Sequence, residues 1–314
     1  MRKPMKPSGQ TGAARPDVYT RITDIMLAQM EHGVRPWVQP WSITRLVGCV
    51  SRPLRFNGEP YSGSNVLLLW SEAVRRGFAA STWMTFRQAL ELGGNVRKGE
   101  TGSMVVYANR IKKTETDANG DGVEHEIPFL KAYTVFNIEQ IEGLPAGYGA
   151  LPNRPVFTPV ERLEHADAFF RATGAVICHG GNAAFYAPGQ DLIQMPHIQA
   201  FCDVESYYAT LAHEEIHWAG ASHRLNRDLS RYGKDRTERA REELIAELGS
   251  CFLCADLGIV PELEPRPDHA SYLKSWLSVL ANDKRAIFQA AAHAQRAVSF
   301  LHSLQPRADV KVAA

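Results

Sequence analysis

The chain has few cysteines and lacks an apolar run long enough to cross a membrane. Its 314 residues include five cysteines, an odd number, and no apolar stretch follows the basic start MRKPMKPSGQTGAARPD. Disulfide-rich secreted domains need paired cysteines, and a membrane-spanning helix needs about 20 apolar residues in a row. We therefore expect a cytoplasmic protein with no membrane partner, and residues 1–16 are predicted to be a disordered basic tail.

Net charge is also small, but the charges are distributed unevenly. The formal net charge is +1, whereas residues 1–114 carry 17 Lys and Arg against 7 Asp and Glu. A basic first third beside an acidic remainder is typical of an anion-binding module joined to a second module, and nucleic acid is the usual polyanion. The length favours two domains, and the Gly- and Pro-rich stretch LPAGYGALPNRP, residues 144–155, separates them.

The hydrophobic pattern predicts an α+β protein. Helices are expected over about residues 17–32, 65–77, 85–94, 160–173, 206–218 and 237–257, and a last helical region over 271–304. GSMVVYANRIKK and FLKAYTVFNIEQIEG alternate as strands do and should pair as a hairpin, and AAFYAPGQDLIQMP is expected to hold a pair of short strands. The segment DANGDG between the hairpin strands mimics a calcium loop, but Pro128 stands where that loop needs a bidentate glutamate.

The pattern HEEIH places two histidines four residues apart. His213 and His217 share one face of a helix, so both can present a ring nitrogen to one ion. Glu214 is placed to take a proton from a water molecule at that ion, which is the logic of H-E-x-x-H metallohydrolases. The alternative is a helix with two surface histidines and no metal. The apolar YYATLA before the motif and Trp218 after it indicate a buried helix, in which unliganded histidines are costly.

The third ligand has two candidates. Read as H-E-x-x-H-x-x-G-x-x-H, the segment offers His223, as in metzincins, but that family needs a methionine after the motif and all seven methionines lie at or before Met195. The next helix, EELIAELGSCFLCADLG, carries Glu243 and Glu247 on one apolar face. We expect Glu243 to be the ligand and Glu247 to accept a hydrogen bond from a ligand imidazole, with Glu242 directed to solvent. An amphipathic helix with ordinary surface glutamates is the other interpretation.

The first domain mixes aromatic and basic residues. Single-stranded nucleic acid is bound by cations along its phosphates and by aromatic rings that stack on bases, at about 1–3 kcal/mol per base. Tryptophans within apolar patterns are better explained as core residues, whereas two of them lie in the proline-rich basic loop PWVQPW. No helix-turn-helix, zinc-finger or RNP pattern is visible, which argues against sequence-specific duplex binding. The predicted DNA-binding residues are Arg35, Trp37, Trp41, Arg52, Arg55, Arg97, Lys98, Arg110 and Lys112.

Two sets of motifs resemble one known protein family. GVRPWVQPW, YSGSNVLLLW, STWMTFRQALELGGNVRKGE and VVYANR are similar to the N-terminal domain of ArdC-type antirestriction proteins, which plasmid TraC-type primases share. AFYAPGQDLIQMP, YYATLAHEEIHWAGASHRLNRDL and EELIAELGSCFLCADLGI are similar to the zincin-like metallopeptidase domain that follows it. The resemblance covers about residues 17–300, with its pieces in the same order.

The resemblance implies a fold and a function. It implies an α/β domain that binds single-stranded DNA, residues 17–145, followed by a mainly helical zincin-like metallopeptidase domain with a small sheet, residues 156–305. Such pairs are carried by mobile elements and protect incoming DNA from restriction. The implied metal ligands are His213, His217 and Glu243, with Glu214 as the catalytic residue. Zinc is the expected ion, with Mn²⁺ as the alternative, and the expected partners are single-stranded DNA and an unidentified protein substrate, a restriction-system component being one candidate.

Two functions without proteolysis also fit the sequence. The first is a DNA-coating protein whose metal is structural. The second is a primase accessory protein, although no polymerase-like acidic cluster is visible. If the chain is a peptidase, Arg224, Tyr207 and Tyr208 are the candidate donors to the oxyanion that forms when a peptide carbonyl is attacked.

Overall fold

The computed structural model describes residues 17–33, 35–38, 51–116, 122–148, 159–260 and 269–306. In the N-terminal part the elements are α1 (Val18–Glu31), β1 (Leu54–Arg55), α2 (Ser64–Arg76), β2 (Thr82–Met84), α3 (Phe86–Glu91), β3 (Asn95–Val96), β4 (Ser103–Thr116), β5 (Gly122–Asn137) and β6 (Ile141–Glu142). In the C-terminal part they are α4 (Pro159–Thr173), β7 (Val176–His179), β8 (Phe185–Ala187), β9 (Leu192–Met195), α5 (Val204–Ala219), α6 (Arg236–Leu257), α7 (His269–Asn282) and α8 (Ala286–Ser303). The predicted α+β class is confirmed. The predicted tail of residues 1–16 and the calcium-like tip at 117–121 lie outside the described residues.

Local sequence signals explain where the N-terminal helices begin. Asp17 accepts a hydrogen bond from the backbone N–H of Thr20 and thereby caps α1. Thr85 and Gln88 form a reciprocal capping box at α3. α2 ends at Gly77, whose φ of 72° is the left-handed conformation that glycine adopts without strain.

A four-stranded sheet in the order β1-β2-β5-β4 supports the N-terminal part. The predicted hairpin is its dominant feature, since β4 and β5 pair antiparallel from Ser103 opposite Val135 out to Thr116 opposite Gly122. The Asn65 side chain at the start of α2 bonds both the N–H and the C=O of Val106 on the outer strand. This side chain therefore satisfies part of an otherwise unpaired sheet edge.

The C-terminal part consists of helices packed on a small sheet. The predicted short strands form, together with β7, a three-stranded sheet in the order β7-β9-β8, in which β8 is an edge. α5 and α6 are buried over most of their length and pack closely, because a Cβ atom at Gly249 would lie 2.8 Å from the Ile216 side chain. The last helical region is divided into α7 and α8 near Asp283, whose carboxylate accepts from the N–H of Arg285.

The two parts share one hydrophobic core. Buried residues from both belong to a single contiguous cluster. Trp37 meets Trp276 edge-to-face with ring centroids 5.7 Å apart, and the ring of Trp70 lies 6.0 Å from that of Phe252. The N-terminal part thus packs directly on α6 and α7. In the portion of the chain that the structure describes, no helix has the length and apolarity needed to cross a bilayer.

Candidate metal centre

His213 and His217 lie one turn apart on α5, and their Nε2 atoms converge. Their Nε2 atoms are 3.3 Å apart, and both residues are buried. Asp203 accepts from the N–H of Ser206 and caps the helix that carries them. The helical spacing of HEEIH therefore brings the two imidazoles together as predicted.

Glu243 on α6 completes the cluster. One carboxylate oxygen lies 3.5 Å from Nε2 of His213, and the other lies 3.8 Å from Nε2 of His217. Among the described residues, these three form a group whose possible ligand atoms all lie within 4.8 Å of one another. Four ligands at about 2.0–2.2 Å around one tetrahedral ion lie roughly 3.3–3.6 Å apart, so the three side chains fit a divalent ion with little rearrangement.

Glu242 lies inside the protein, and the expectation that it faces solvent is wrong. Its Oε1 lies 3.0 Å from Nδ1 of His217 and accepts from Nη2 of Arg227 at 2.7 Å. The same guanidinium donates to the carbonyl of Ile216, which ties the pair to α5. Because neutral imidazole has one N–H, donation from Nδ1 to Glu242 leaves the Nε2 lone pair free to face an ion.

Glu247 does not have the role predicted for it. Its Oε1 accepts from Nη1 of Arg35 at 2.8 Å and from Nε1 of Trp37 at 3.2 Å. The supporting contact to His217 comes from Glu242, and Nδ1 of His213 is buried without a partner among the described residues. Glu247 thus binds the N-terminal part of the chain, one helical turn away from the candidate ligand Glu243.

The electrostatics of the cluster favour a cation. Burial alone would lower the pKa of His217, but the hydrogen bond to Glu242 and the charge of Glu243 outweigh it and raise the pKa to about 9. Burial would likewise raise the pKa of Glu243, yet its contacts with His213 and His217 bring it to about 2. The pKa of Glu242 is also lowered, against the effect of burial, by His217 and Arg227. Two buried carboxylates therefore stay ionised beside the imidazoles, as a bound dication requires.

A cavity of about 390 Å³ exposes the cluster on one side. Glu214 reaches this cavity together with His213, His217 and Glu243, although only a small part of its surface is exposed. The other described residues that line the cavity are Ala184, Phe185, Tyr186 and Pro188 around β8, and Leu229, Tyr232, Gly233, Glu242 and Tyr272. A carboxylate beside a group of candidate metal ligands in an open cavity is the arrangement that general-base chemistry needs.

Tyr232 is a site residue that the sequence reasoning missed. Its hydroxyl donates to Glu243, and its ring lies 6.0 Å from that of His217. Burial and the negative charge of Glu243 raise the pKa of the phenol well above its ordinary value, so it keeps its proton. No motif spacing marks this residue. The available signal is that Tyr232 is the sole aromatic residue in the loop 220–235 between the two site helices.

His223, the alternative third ligand, and the predicted oxyanion donors are not among the described residues that line the cavity. His223 is exposed and its Nε2 lies 3.2 Å from Asp191. Arg224 covers the Trp218 ring at 3.9 Å and donates to the Trp218 carbonyl and to Asp191, so it fastens α5 to the small sheet. Tyr207 contacts His179 through its hydroxyl. Neither it nor its neighbour Tyr208 is among the described residues that line the cavity.

Three of the predicted DNA-binding residues belong to the interior. Trp37 is fully buried, and Arg35 is held by Glu247. Arg52 is buried as well and pairs with Asp256 at 2.7 Å. These side chains join the two parts of the molecule and offer little exposed surface to a DNA strand, which corrects that part of the prediction.

The other predicted DNA-binding residues divide into exposed and undescribed groups. Arg55, Arg97 and Lys98 are exposed, with Arg55 over the ring of Tyr61 and Arg97 paired with Glu100. Their role in DNA binding stays a prediction. Trp41 lies outside the described residues, and of Arg110 and Lys112 only the backbone, in β4, is described.

Two family models match the two parts of the chain. Residues 16–136 match the family model of the N-terminal domain of anti-restriction factor ArdC, and residues 164–293 match that of a zincin-like metallopeptidase. The uncharacterized protein y4eC of Sinorhizobium fredii (strain NBRC 101917 / NGR234) is 41% identical over 92% of each chain. Two DNA primases TraC of Escherichia coli are 35% and 34% identical, over 92% and 88% of this chain but only 27% and 19% of theirs.

Solved structures extend the comparison to the whole fold. The metal-free crystal structure of antirestriction ArdC protein from the R388 plasmid is 45% identical, with a TM-score of 0.77 over 92% of this chain and 98% of that one. The Mn(II)-bound structure of the R388 protein is 44% identical, with a TM-score of 0.76 over 93% and 99% of the two chains. Since both the sequence and the fold match over nearly the full length, this chain belongs to the ArdC-type antirestriction family and carries its zincin-like metallopeptidase domain.

Proposed function

We propose that this protein protects incoming DNA from restriction by binding single-stranded DNA and by hydrolysing a protein substrate at a metal site. The observation that carries the proposal is the convergence of three ligand side chains on one point, beside Glu214 in an open cavity. The DNA-binding function is assigned to residues 17–145 and the metal site to residues 156–305. The proposed location is the cytoplasm, and a restriction-system component is the proposed substrate.

His213, His217 and Glu243 are the proposed metal ligands. Zinc suits two imidazoles and a carboxylate, and the Mn(II)-bound structure of the R388 protein supports manganese as the alternative. When bound, the ion supplies positive charge that polarises a peptide carbonyl and acidifies water. Glu242 fixes the orientation of His217 through Nδ1, so that Nε2 stays directed at the ion.

Glu214 is the proposed general base. It borders the same cavity as the ligands and would take a proton from the attacking water, then deliver it to the leaving amine. Tyr232 is the proposed donor to the oxyanion, in place of Arg224 and the Tyr207–Tyr208 pair. Its hydroxyl is already beside the cluster, and its raised pKa keeps the proton available for donation.

The basic N-terminal part is the proposed DNA-binding module. Its excess of Lys and Arg supplies attraction to phosphates, and Arg55, Arg97 and Lys98 are exposed cations of this part. The match to an ArdC N-terminal domain shared with two TraC primases supports a role on DNA. TraC primases are much longer than this chain, so primer synthesis is not part of the proposal.

The test replaces Glu214 by glutamine, which keeps the shape and removes the base. We expect Glu214→Gln to retain its metal by elemental analysis and to lose antirestriction when unmodified DNA enters a restricting host. Any peptide hydrolysis should fall by about 100-fold or more. Antirestriction at the wild-type level, with metal bound, would instead indicate a DNA-coating protein with a structural metal.

The neighbouring carboxyl provides a matched control. Glu215 is fully buried and bonded to Thr173, and burial raises its pKa to about 8, so it is mostly protonated near neutral pH. Glu215→Gln therefore replaces one neutral group by another on the same helix. It should keep both metal and antirestriction, which separates loss of the Glu214 base from damage to α5.

A further inference from the structure

Two exposed tyrosines lie together on the long hairpin of the N-terminal part. Tyr107 on β4 and Tyr133 on β5 are 49% and 40% exposed, and their ring centroids are 6.4 Å apart in an edge-to-face arrangement. Aromatic rings are usually buried, and a group of them held in solvent on one surface is informative. Neither ring is used by the metal centre.

The strand register explains why the rings share a face. Tyr107 pairs with Lys131, and Tyr133 pairs with Val105. Paired residues and residues two apart on a strand lie on the same face of a sheet, so these four side chains form one row. Towards Ser103 the same sheet face belongs to the core, since Val105 and Val135 on it are buried. The tyrosines lie where this face emerges from the core into solvent.

A cation lies against the same surface. The Nζ atom of Lys131 is 5.0 Å from the centroid of the Tyr133 ring. The Asn109 side chain donates to the hydroxyl of Tyr107 at 2.7 Å and helps to hold that ring in place. The two rings and the ammonium group together form the surface that we call the tyrosine platform, defined by Tyr107, Lys131 and Tyr133.

We propose that the tyrosine platform stacks the unpaired bases of single-stranded DNA while Lys131 binds an adjacent phosphate. Rings with a flanking cation are the combination that holds single strands without regard to sequence, because every base has a π face. The ammonium group of Lys131 beside the two rings fits an anionic strand better than a neutral protein surface. This inference rests on the proposed DNA-binding function and names the surface that performs it.

The platform is tested by removing the rings and, separately, the bases. The Tyr107→Leu/Tyr133→Leu double variant of the full chain should bind a fluorescein-labelled oligothymidylate at least about tenfold more weakly in fluorescence anisotropy. The wild type should bind an abasic strand of the same length more weakly by a similar factor. The double variant should discriminate little between the two strands, because the groups that stack are absent. Tyr107→Phe/Tyr133→Phe should remain within about twofold of the wild type, since it keeps both rings.

A salt titration separates stacking from charge. The leucine variant should keep the wild-type dependence of affinity on salt, whereas Lys131→Ala should lower the slope of log K against log salt by about 0.7, the value for one phosphate of a single strand. Phe86→Leu is the matched control. Phe86 is 51% exposed and packs on Phe136, which follows Val135 and so lies on the opposite sheet face.

The outcomes separate this proposal from the proposed function. A wild-type protein that fails to bind oligothymidylate overturns both the DNA-binding function and the platform. A wild type that binds, with the leucine variant binding equally well at an unchanged unfolding temperature, overturns the platform alone. Equal binding of abasic and normal strands by the wild type also overturns it. If the double leucine variant unfolds at a lower temperature than the wild type, the platform is tested by two other measurements. These are the abasic comparison in the wild type and the binding of the single Tyr→Leu variants.

Discussion

Two buried glutamates one turn apart on α6 have different partners. Glu243 faces His213 and His217, whereas Glu247 accepts from Arg35 and Trp37. Both carboxylates are almost wholly buried, so each needs positive charge or hydrogen-bond donors near it. At Glu243 the cluster is suited to a metal ion, and at Glu247 the charge comes from an arginine of the other half of the chain. Helical spacing predicts that the two share a face, but the partner is decided by the element packed against each turn.

The two halves of α6 make different contacts. Its first half carries Glu242 and Glu243 to the histidines, and its second half binds the segment 35–38. A buried ion pair such as Arg35–Glu247 adds little net stability over apolar packing, but removing one partner leaves an uncompensated charge. The metal site and the contact between the two parts therefore depend on separate turns of the same helix, and substitutions can separate them.

The largest expected effect is the loss of metal from Glu243→Ala. Removal of one of the three proposed ligands should leave the purified variant with little zinc or manganese by elemental analysis, while the wild type should hold about one ion per chain. His223→Ala serves as the control and should retain its ion, because His223 is exposed and paired with Asp191. Metal kept by the Glu243 variant and lost from the His223 variant would reverse the ligand assignment.

The next largest expected effect is a loss of stability when Trp37, which contacts Glu247 on α6, is replaced. Trp37→Ala removes a fully buried ring that packs on Trp276, and we expect it to lower the free energy of unfolding by about 3–5 kcal/mol. Trp37→Phe keeps most of the packing and loses the hydrogen bond to Glu247, at a smaller cost of about 1–3 kcal/mol. Urea denaturation measures both. Equal stabilities of the wild type and the alanine variant would mean that segment 35–38 does not anchor the N-terminal part.

The sequence predicts the three side chains that converge in the structure, and it predicts most helices. HEEIH identifies His213 and His217 because a four-residue spacing has one meaning on a helix. The lack of a methionine after Met195 disfavours the metzincin alternative and so favours Glu243 over His223 as the third ligand. Caps such as Asp17 and Thr85 also mark helix starts, since the side chain that satisfies the helix is adjacent in sequence.

The supporting residues could not be predicted, for a physical reason. α6 is buried on nearly all sides in its central turns, so periodicity does not separate an inward from an outward face there. The pattern therefore predicts a solvent-facing Glu242, whereas its side chain contacts His217. The basic, aromatic setting of Trp37 and Arg52 predicts DNA-binding residues. It does not reveal that their partners, Glu247 and Asp256, lie more than 200 residues away in the sequence.

The smallest expected effect concerns the contact between Glu242 and His217, which the sequence does not predict. Glu242→Gln should weaken metal binding by about 10–100-fold, because the neutral amide supports His217 less well than a carboxylate. In the metal-free protein, Glu242 and Glu243 raise the pKa of His217 to about 9, so below that pH an incoming ion must displace a proton. Metal affinity of the wild type should therefore fall as pH is lowered, by about tenfold per unit for one displaced proton.

The pH profile distinguishes this role from simple destabilisation. With Glu242 neutral, the pKa of His217 is less elevated, and the decline in affinity should begin at a lower pH than in the wild type. Isothermal titration with Zn²⁺ and Mn²⁺ across the range from about pH 6 to 9 measures both the loss of metal affinity and the change in the pH at which affinity begins to fall. Glu247→Gln is the matched control, since its carboxylate binds Arg35 and Trp37 one turn away and its loss should leave the profile in place. If both variants moved the profile equally, the two turns of α6 would not act independently, and the separation of the metal site from the Arg35–Trp37 contact would be wrong.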